Sequence, residues 1–269
     1  MGALTDLIAG GTKPVIGMIQ LAPLPDSSRW RGSTLGAVLE PALAEAELLA
    51  TNGIDALMVQ NLGDIPVAPR VAAAQVAWMT RVVSEITRRY DLPVGLNLLE
   101  NDAEAMFAVA TAAGVDFVRI KILVGAMMTP FGIESGQAHT AIKARTRWNG
   151  DGISIFADVH DRTGTPIATS GFAEDLDFAV RLGGADGLVL TGKNHAQTMD
   201  YIREARKLLG PVPILVGGSV NADNWHEVTA VADGAIVSSS LKSSGAATGS
   251  FDPEKIRKFM ATVTRSAAA

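Results

Sequence analysis

Hydrophobic and polar positions follow two different periods along this chain. Short apolar runs recur, and between them lie longer stretches whose apolar positions fall three and four apart. The first pattern reads as buried strands and the second as amphipathic helices. The strand runs are Val15–Leu21, Ala56–Asn61, Val94–Leu99, Phe117–Leu123, Ser154–Asp161, Leu188–Leu190, Ile214–Val216 and Ala235–Val237. A helical pattern follows each of them, and a short N-terminal helix over residues 3–9 precedes the first. Ser33 or Thr34 is placed to cap a helix that Asn52-Gly53 ends, and Asp102 caps another. A long helix over Arg70–Tyr90 stops before Pro93. Others span Gln137–Trp148 and Phe172–Leu182, and Asp252-Pro253 opens the last one. Residues 266–269 are expected to fray.

Eight strand–helix units in strict alternation predict an α/β fold with a parallel sheet. The expected architecture is a (β/α)8 TIM barrel, a single domain over residues 1–269. A doubly wound open sheet is the competing arrangement. The barrel is preferred because eight units fill the chain and no linker splits it. Two long loops interrupt the pattern: Ala22–Gly32 after the first strand, and Gly125–Gly136 after the fourth, the latter hinged by glycines.

Composition narrows the picture. Nearly half the residues are hydrophobic (48%), which suits parallel strands buried on both faces. The net charge of −5 argues against a nucleic-acid partner. There is no cysteine, so disulfide and thiolate chemistry are excluded, and any metal would need His, Asp or Glu. No stretch reaches about 18 uninterrupted apolar residues, so membrane insertion is not expected and a cytoplasmic location is the default. Apolar outer helices such as Val71–Val83 permit a homo-oligomer.

Alternation along the strands assigns faces. In Phe117–Ile122 the outward set is Val118, Ile120 and Ile122, so Arg119 and Lys121 should point into the barrel. In Ile155–His160 the outward set is Ile155, Ala157 and Val159, so Asp158 and His160 should point in. Thr191 and Lys193 share a face at the end of the sixth run. Gln20 ends the first run inward, Asn97 points in from the third, and Asn61 or Gln60 from the second. Buried charges must be paired with one another or with a ligand. Two readings follow: a purely structural ion-pair network joining Arg119 or Lys121 to Asp158, or an active site at the C-terminal mouth.

The chemistry these residues allow is specific. Gly217, Gly218 and Ser219 follow the seventh run, and Ser238 and Ser239 follow the eighth. Small residues and backbone N–H groups at that place suit a phosphate; tight turns without a ligand are the other reading. His160, oriented by Asp158 or Asp161, suits acid–base work. Asp158 and His160 could instead be part of a divalent metal site, with Glu100 or Asp102 as a third ligand. Lys193 could form a Schiff base or hold an anion as a plain charge. Trp30, Arg31, Met127, Met128 and Phe131 on the long loops could close over a substrate or bind a partner.

Six ordered segments resemble the BtpA/SgcQ family: Gly17–Pro25, Asp116–Gly136, Ala157–Arg162, Asp186–Lys193, Ile214–Asn224 and Ala232–Lys242. The chain departs from the family pattern at Lys121, where a polar uncharged residue is commoner, and at Gln60, where a glutamate is expected. The resemblance implies a barrel akin to the ribulose-phosphate-binding barrels. One branch of the family is named for a role in photosystem I biogenesis. Another is encoded beside sugar-uptake and sugar-catabolism genes, which implies a small phosphorylated metabolite as ligand. The expectation is an isomerase, lyase/aldolase or hydrolase, with Arg119, Lys121, Asp158, His160 and Lys193 as the working residues on the strength of the strand faces and not of the family. The alternative is a non-catalytic biogenesis or stability factor on a barrel scaffold.

Overall fold

The computed structural model describes residues 2–263. Residues 266–269, where fraying is expected, lie outside them. In chain order the elements are α1 (Ala3–Ala9), β1 (Val15–Gln20), α2 (Leu35–Thr51), β2 (Ala56–Gln60), α3 (Ala73–Arg89), β3 (Val94–Asn97), α4 (Ala103–Ala113), β4 (Phe117–Ile120), β5 (Ala126–Thr129), β6 (Gly132–Ser135), α5 (Ala138–Arg147), β7 (Ser154–Asp158), β8 (Thr165–Pro166), α6 (Phe172–Asp177), β9 (Gly187–Leu190), α7 (His195–Leu209), β10 (Ile214–Val216), α8 (Trp225–Thr229), β11 (Gly234–Val237) and α9 (Pro253–Thr262). Eight of the strands close into a barrel in the order β1-β11-β10-β9-β7-β4-β3-β2, and the pairings are parallel. The predicted TIM barrel is the observed fold.

Two apolar layers hold it. The outer layer packs the outward strand residues, such as Val118, Ile120, Ile155 and Ala157, against the helices. The inner layer is Ile16, Met18, Ala56, Met58, Phe117, Phe156, Val189, Leu215 and Ile236. Phe117 and Phe156 meet edge to face at 5.9 Å across the interior. Their rings occupy the places that side chains at Gly95 and Gly187 would take: a Cβ there would lie 2.2 Å and 2.4 Å from ring carbons. Leu4 and Ile8 of α1 join this layer, so α1 plugs the N-terminal end of the barrel.

Above the apolar layer the inward positions turn polar. Gln20, Gln60, Asn97, Arg119, Asp158, Thr191, Gly217 and Ser238 follow on the same inward alternation toward the C-terminal mouth. Caps behave as expected: the Thr34 side chain accepts from the Ala37 N–H, and Asp102 accepts from the Ala105 N–H.

Several segments differ from what the residue pattern predicts. Strands β4 and β7 are shorter than their apolar runs. Asn101 explains the first: its side chain accepts from the Ile122 N–H and donates to the Ile122 carbonyl, replacing the strand ladder there. The loop expected over Gly125–Gly136 is a β-hairpin. Strands β5 and β6 pair antiparallel, and β8 adds a third strand beside β5. The apolar residues Met127 and Met128 belong to that small sheet.

Candidate functional site

The mouth of the barrel holds a cavity of about 260 Å³. Its walls come from opposite sides of the closed sheet, since β4 lies four places from β11 in the strand order. On one side are Arg119, Lys121, Asp161, Arg162 and Thr163. On the other are Thr191, Gly217, Gly218, Ser219 and Ser238–Ser240. Gln20 and Gln60 complete the floor.

The first wall is an ion-pair network. Arg119 Nε donates to Asp158 Oδ2 at 2.7 Å and Nη2 to Oδ1 at 2.6 Å, a bidentate clamp with both residues buried. Burial works against the Arg119 charge, but the Asp158 carboxylate outweighs it and the guanidinium stays protonated. Asp161 lies 3.9 Å from Arg119 Nη2 and 3.4 Å from Lys121 Nζ. Lys121 also donates to Thr163 Oγ1 at 2.9 Å. Burial tends to raise the Asp161 carboxyl. Lys121, Arg119 and two hydrogen bonds from Thr163 overcome that and hold it below the ordinary carboxylate range. Asp161 is therefore an ionised carboxylate facing the cavity beside a lysine.

The second wall is backbone and small side chains. Gly217 N–H donates to Thr191 Oγ1 at 3.1 Å. A Cβ on Gly217 would fall 2.6 Å from that oxygen and 3.0 Å from Arg119 Nη2, so the glycine makes room for the guanidinium that reaches across the barrel. Ser219 adopts a left-handed backbone, φ 63°, and its hydroxyl accepts from Arg162 Nη1 at 3.0 Å. Ser239–Leu241 form one turn of 3-10 helix. Behind it, buried Lys242 donates to Gln20 Oε1 at 2.9 Å and lies 4.8 Å over the Phe251 ring.

Several expected residues fall elsewhere. His160 does not point into the barrel. Strand β7 ends at Asp158, and His160 takes a left-handed backbone, φ 54°, which breaks the alternation. Its ring turns outward to share a 2.7 Å hydrogen bond with Asp175 and an edge contact with Phe172. Asp161 takes the inward place instead. Lys193 is exposed and is not part of the cavity wall; β9 ends at Leu190, so strand alternation no longer governs it. Asp158 is spent on Arg119 and lies below the cavity lining. Gln60, not Asn61, is the inward residue of β2: its Nε2 donates to Asn97 Oδ1 at 2.6 Å. Asn97 is itself buried beneath the floor and donates to the Arg119 carbonyl. Trp30 and Arg31 do not reach the cavity; Arg31 bonds the carbonyls of Ser28 and Trp30.

Asn61 belongs to a second network, outside the barrel under the loops after β2 and β3. Its Nδ2 donates to Asp64 Oδ2 and Glu100 Oε2, both at 2.9 Å. Gln75 Nε2 donates to Asp64 at 2.8 Å. Asp64 accepts the Leu24 N–H at 2.7 Å, and Asn61 accepts the Leu99 N–H at 3.0 Å. Burial raises the Glu100 carboxyl, against the donors Asn61 and Gln75. Glu100 is thus committed to amides, and Asp102 to the α4 cap. Among the described residues no group of three or more His, Asp or Glu is placed to hold a metal ion.

Asp161, Arg162 and Thr163 line the cavity although strand alternation did not point to them, and Gln60 is the one of the pair Asn61 and Gln60 that faces in. Asp161 and Arg162 stand in the Ala157–Arg162 segment, and only the turn at His160 decides which of its side chains reach the mouth.

Comparison with known proteins completes the picture. The chain is 34% identical over 250 residues to the photosystem I biogenesis protein BtpA of Synechocystis, covering 92% of this chain and 86% of that one. It is 35% identical over 249 residues to an uncharacterized protein of Thermococcus kodakarensis, covering 92% and 94%. Among solved structures it is similar to tryptophan synthase from M. tuberculosis, with TM-score 0.62, 15% identity and coverage of 98% and 99%. It is also similar to N-(5'-phosphoribosyl)anthranilate isomerase from Pyrococcus furiosus, with TM-score 0.54, 17% identity and coverage of 93% and 98%. These structures share the barrel fold. Among the described residues no helix is long and apolar enough to cross a membrane. The sequence profile of the BtpA family matches residues 11–265, and the chain belongs to that family.

Proposed function

We propose that this chain is an enzyme acting on a small phosphorylated carbohydrate or related metabolite, by acid–base chemistry at the C-terminal mouth of the barrel. The reaction class is an isomerisation, a lyase or aldol cleavage, or a hydrolysis. One observation carries the reading: a single cavity joins a backbone-and-serine wall to an ionised Asp161 beside Lys121. Ser219, Ser238, Ser239 and the backbone at Gly218 hold the phosphate, with Arg162 as its counter-charge. Asp161 takes a proton from the bound substrate. Lys121 stabilises the negative charge that then develops on the neighbouring oxygen. Arg119 supports both and is held rigid by Asp158. Lys121 also replaces Lys193 as the amine within reach of a bound carbonyl, so borohydride trapping should label Lys121 if a Schiff base forms.

The test is a thermal-shift screen with inorganic phosphate and sugar phosphates, followed by a crystal soak. Stabilisation by phosphates, with anion density near Gly218 and Ser239, supports the reading. No shift with any phosphate and no density there would overturn it. The second reading is a biogenesis or stability factor without catalysis. It is favoured by the 34% identity to the Synechocystis protein named for that role. The charged residues kept inside the mouth weigh against it, because a barrel used only as a scaffold has no need of them.

A further inference from the structure

A second compartment of about 220 Å³ lies under the β5–β6 hairpin and shares part of its wall with the mouth cavity. Five residues belong to both: Ile65, Leu99, Lys121, Asp161 and Thr163. The proposed reacting pair, Lys121 and Asp161, therefore stands at the junction of two spaces. The new walls are apolar: Ile122, Met127, Pro130 and Phe131 join Ile65 and Leu99. Phe131, at the hairpin tip, is 41% exposed.

The polar groups lining this compartment are largely spent. The Asn101 amide donates to Ile122 and Ser135 carbonyls and accepts from the Ile122 N–H. Thr129 Oγ1 donates to the Gly132 carbonyl and accepts from the Phe131 N–H. A hydroxyl-bearing group entering here would leave hydrogen bonds with water and find few in return, which is costly. Glu134 on the same wall disfavours a second anion. An uncharged apolar group meets neither penalty, and an apolar cavity of about 150 Å³ already accommodates a benzene ring.

We infer that the substrate carries an apolar arm, an alkyl chain or single ring, which lies in the hairpin compartment while its phosphate sits at Ser219 and Ser239. The inference rests on the phosphate reading of the mouth and narrows its substrate class. The reacting centre of such a molecule sits between the two ends, beside Lys121 and Asp161. The hairpin then acts as the selectivity element: it discriminates by length and polarity of the arm, while the backbone wall supplies the common anchor.

Calorimetry with inorganic phosphate and a series of straight-chain alkyl phosphates tests this on the intact chain. The expected result is affinity that rises about threefold to fourfold per methylene until the compartment is filled. Phe131→Asp should flatten that rise and leave inorganic phosphate binding unchanged. Pro130→Asp should do the same, and serves if Phe131→Asp loses the fold in circular dichroism. Ile133→Asp, on the same hairpin but 69% exposed and outside the compartment, should change neither. Phosphate that binds with no gain along the series would overturn the apolar arm and leave the phosphate reading standing. A rise that survives both Phe131→Asp and Pro130→Asp would also overturn it, by placing the arm elsewhere. Silence from every member, inorganic phosphate included, would take down both.

Discussion

Two buried polar networks stand within a few residues of each other at the barrel mouth, and they solve the same problem differently. The inner one balances charge with charge: Arg119 and Lys121 against Asp158 and Asp161. The outer one holds two carboxylates, Asp64 and Glu100, with amides from Asn61 and Gln75. The inner network lines cavities. The outer one fastens the loops after β1, β2 and β3 through the N–H groups of Leu24 and Leu99. The inner network puts charged groups, Arg119, Lys121 and Asp161, on the cavity wall where a ligand can meet them, whereas the amide-held acids of the outer network do not line that cavity. This contrast separates the cavity-lining part of the mouth from its scaffolding.

The contrast breaks most visibly where one charge is removed from the inner network. Arg119→Met leaves Asp158 buried without its clamp, and urea unfolding should show a loss of about 3–5 kcal/mol. Adding Asp158→Leu should recover part of that loss, because the orphan charge is then gone. Lys121→Met should cost little stability, about 1 kcal/mol or less, since Asp161 keeps Arg119 and Thr163. Its turnover of a phosphorylated substrate should nevertheless fall about 100-fold or more. Unchanged turnover would move the chemistry away from Lys121. In the outer network, Asn61→Leu removes the donor shared by both carboxylates. The expected cost is about 2 kcal/mol by urea unfolding, with inorganic phosphate affinity changed less than by any serine-wall variant.

Much of the barrel was legible because each strand is buried on both faces and each helix has an apolar stripe. Arg119, Lys121, Gln20 and Thr191 were legible as residues facing the mouth cavity for a related reason: each sits inside a strand or directly at its end, where the period of two still holds. His160 and Lys193 were not, because β7 ends at Asp158 and β9 at Leu190. Past a strand end, backbone dihedrals decide direction, and nothing in the residue types announces the left-handed turn at His160. The glycine-and-serine wall was legible by composition, but Gly217 has a second reason to be glycine. It clears the path of a side chain from the far side of the barrel, a contact between residues 98 positions apart that no local pattern encodes. The hairpin over Ala126–Ser135 was hidden for the opposite reason: its strands are short and largely exposed, and they pair only with each other and with β8.

Acid titration gives the smallest effect and the sharpest version of the contrast, because one carboxylate from each network, Asp161 and Glu100, should respond with opposite sign. Asp161 of the inner network has its carboxyl held below the ordinary 3.8. The unfolded chain therefore takes up that proton first as pH falls. The stability Asp161 contributes is fully present above its unfolded value and is lost as pH drops through the folded one. Glu100 of the outer network has its carboxyl raised above the ordinary 4.5 by burial, with Asp64 adding to the rise. Here the folded chain takes up the proton first. Its contribution improves as pH falls from neutrality toward 4.5 and worsens as pH rises. Urea unfolding as a function of pH, for the native chain and for Asp161→Asn and Glu100→Gln, separates the two. The difference between native chain and Asp161→Asn should shrink below pH 4. The difference between native chain and Glu100→Gln should move in favour of the native chain between pH 7 and pH 4.5. Parallel curves for both variants would mean that amides and cations stabilise these carboxylates equally well, and the division between a reactive network and a fastening one would lose its electrostatic basis.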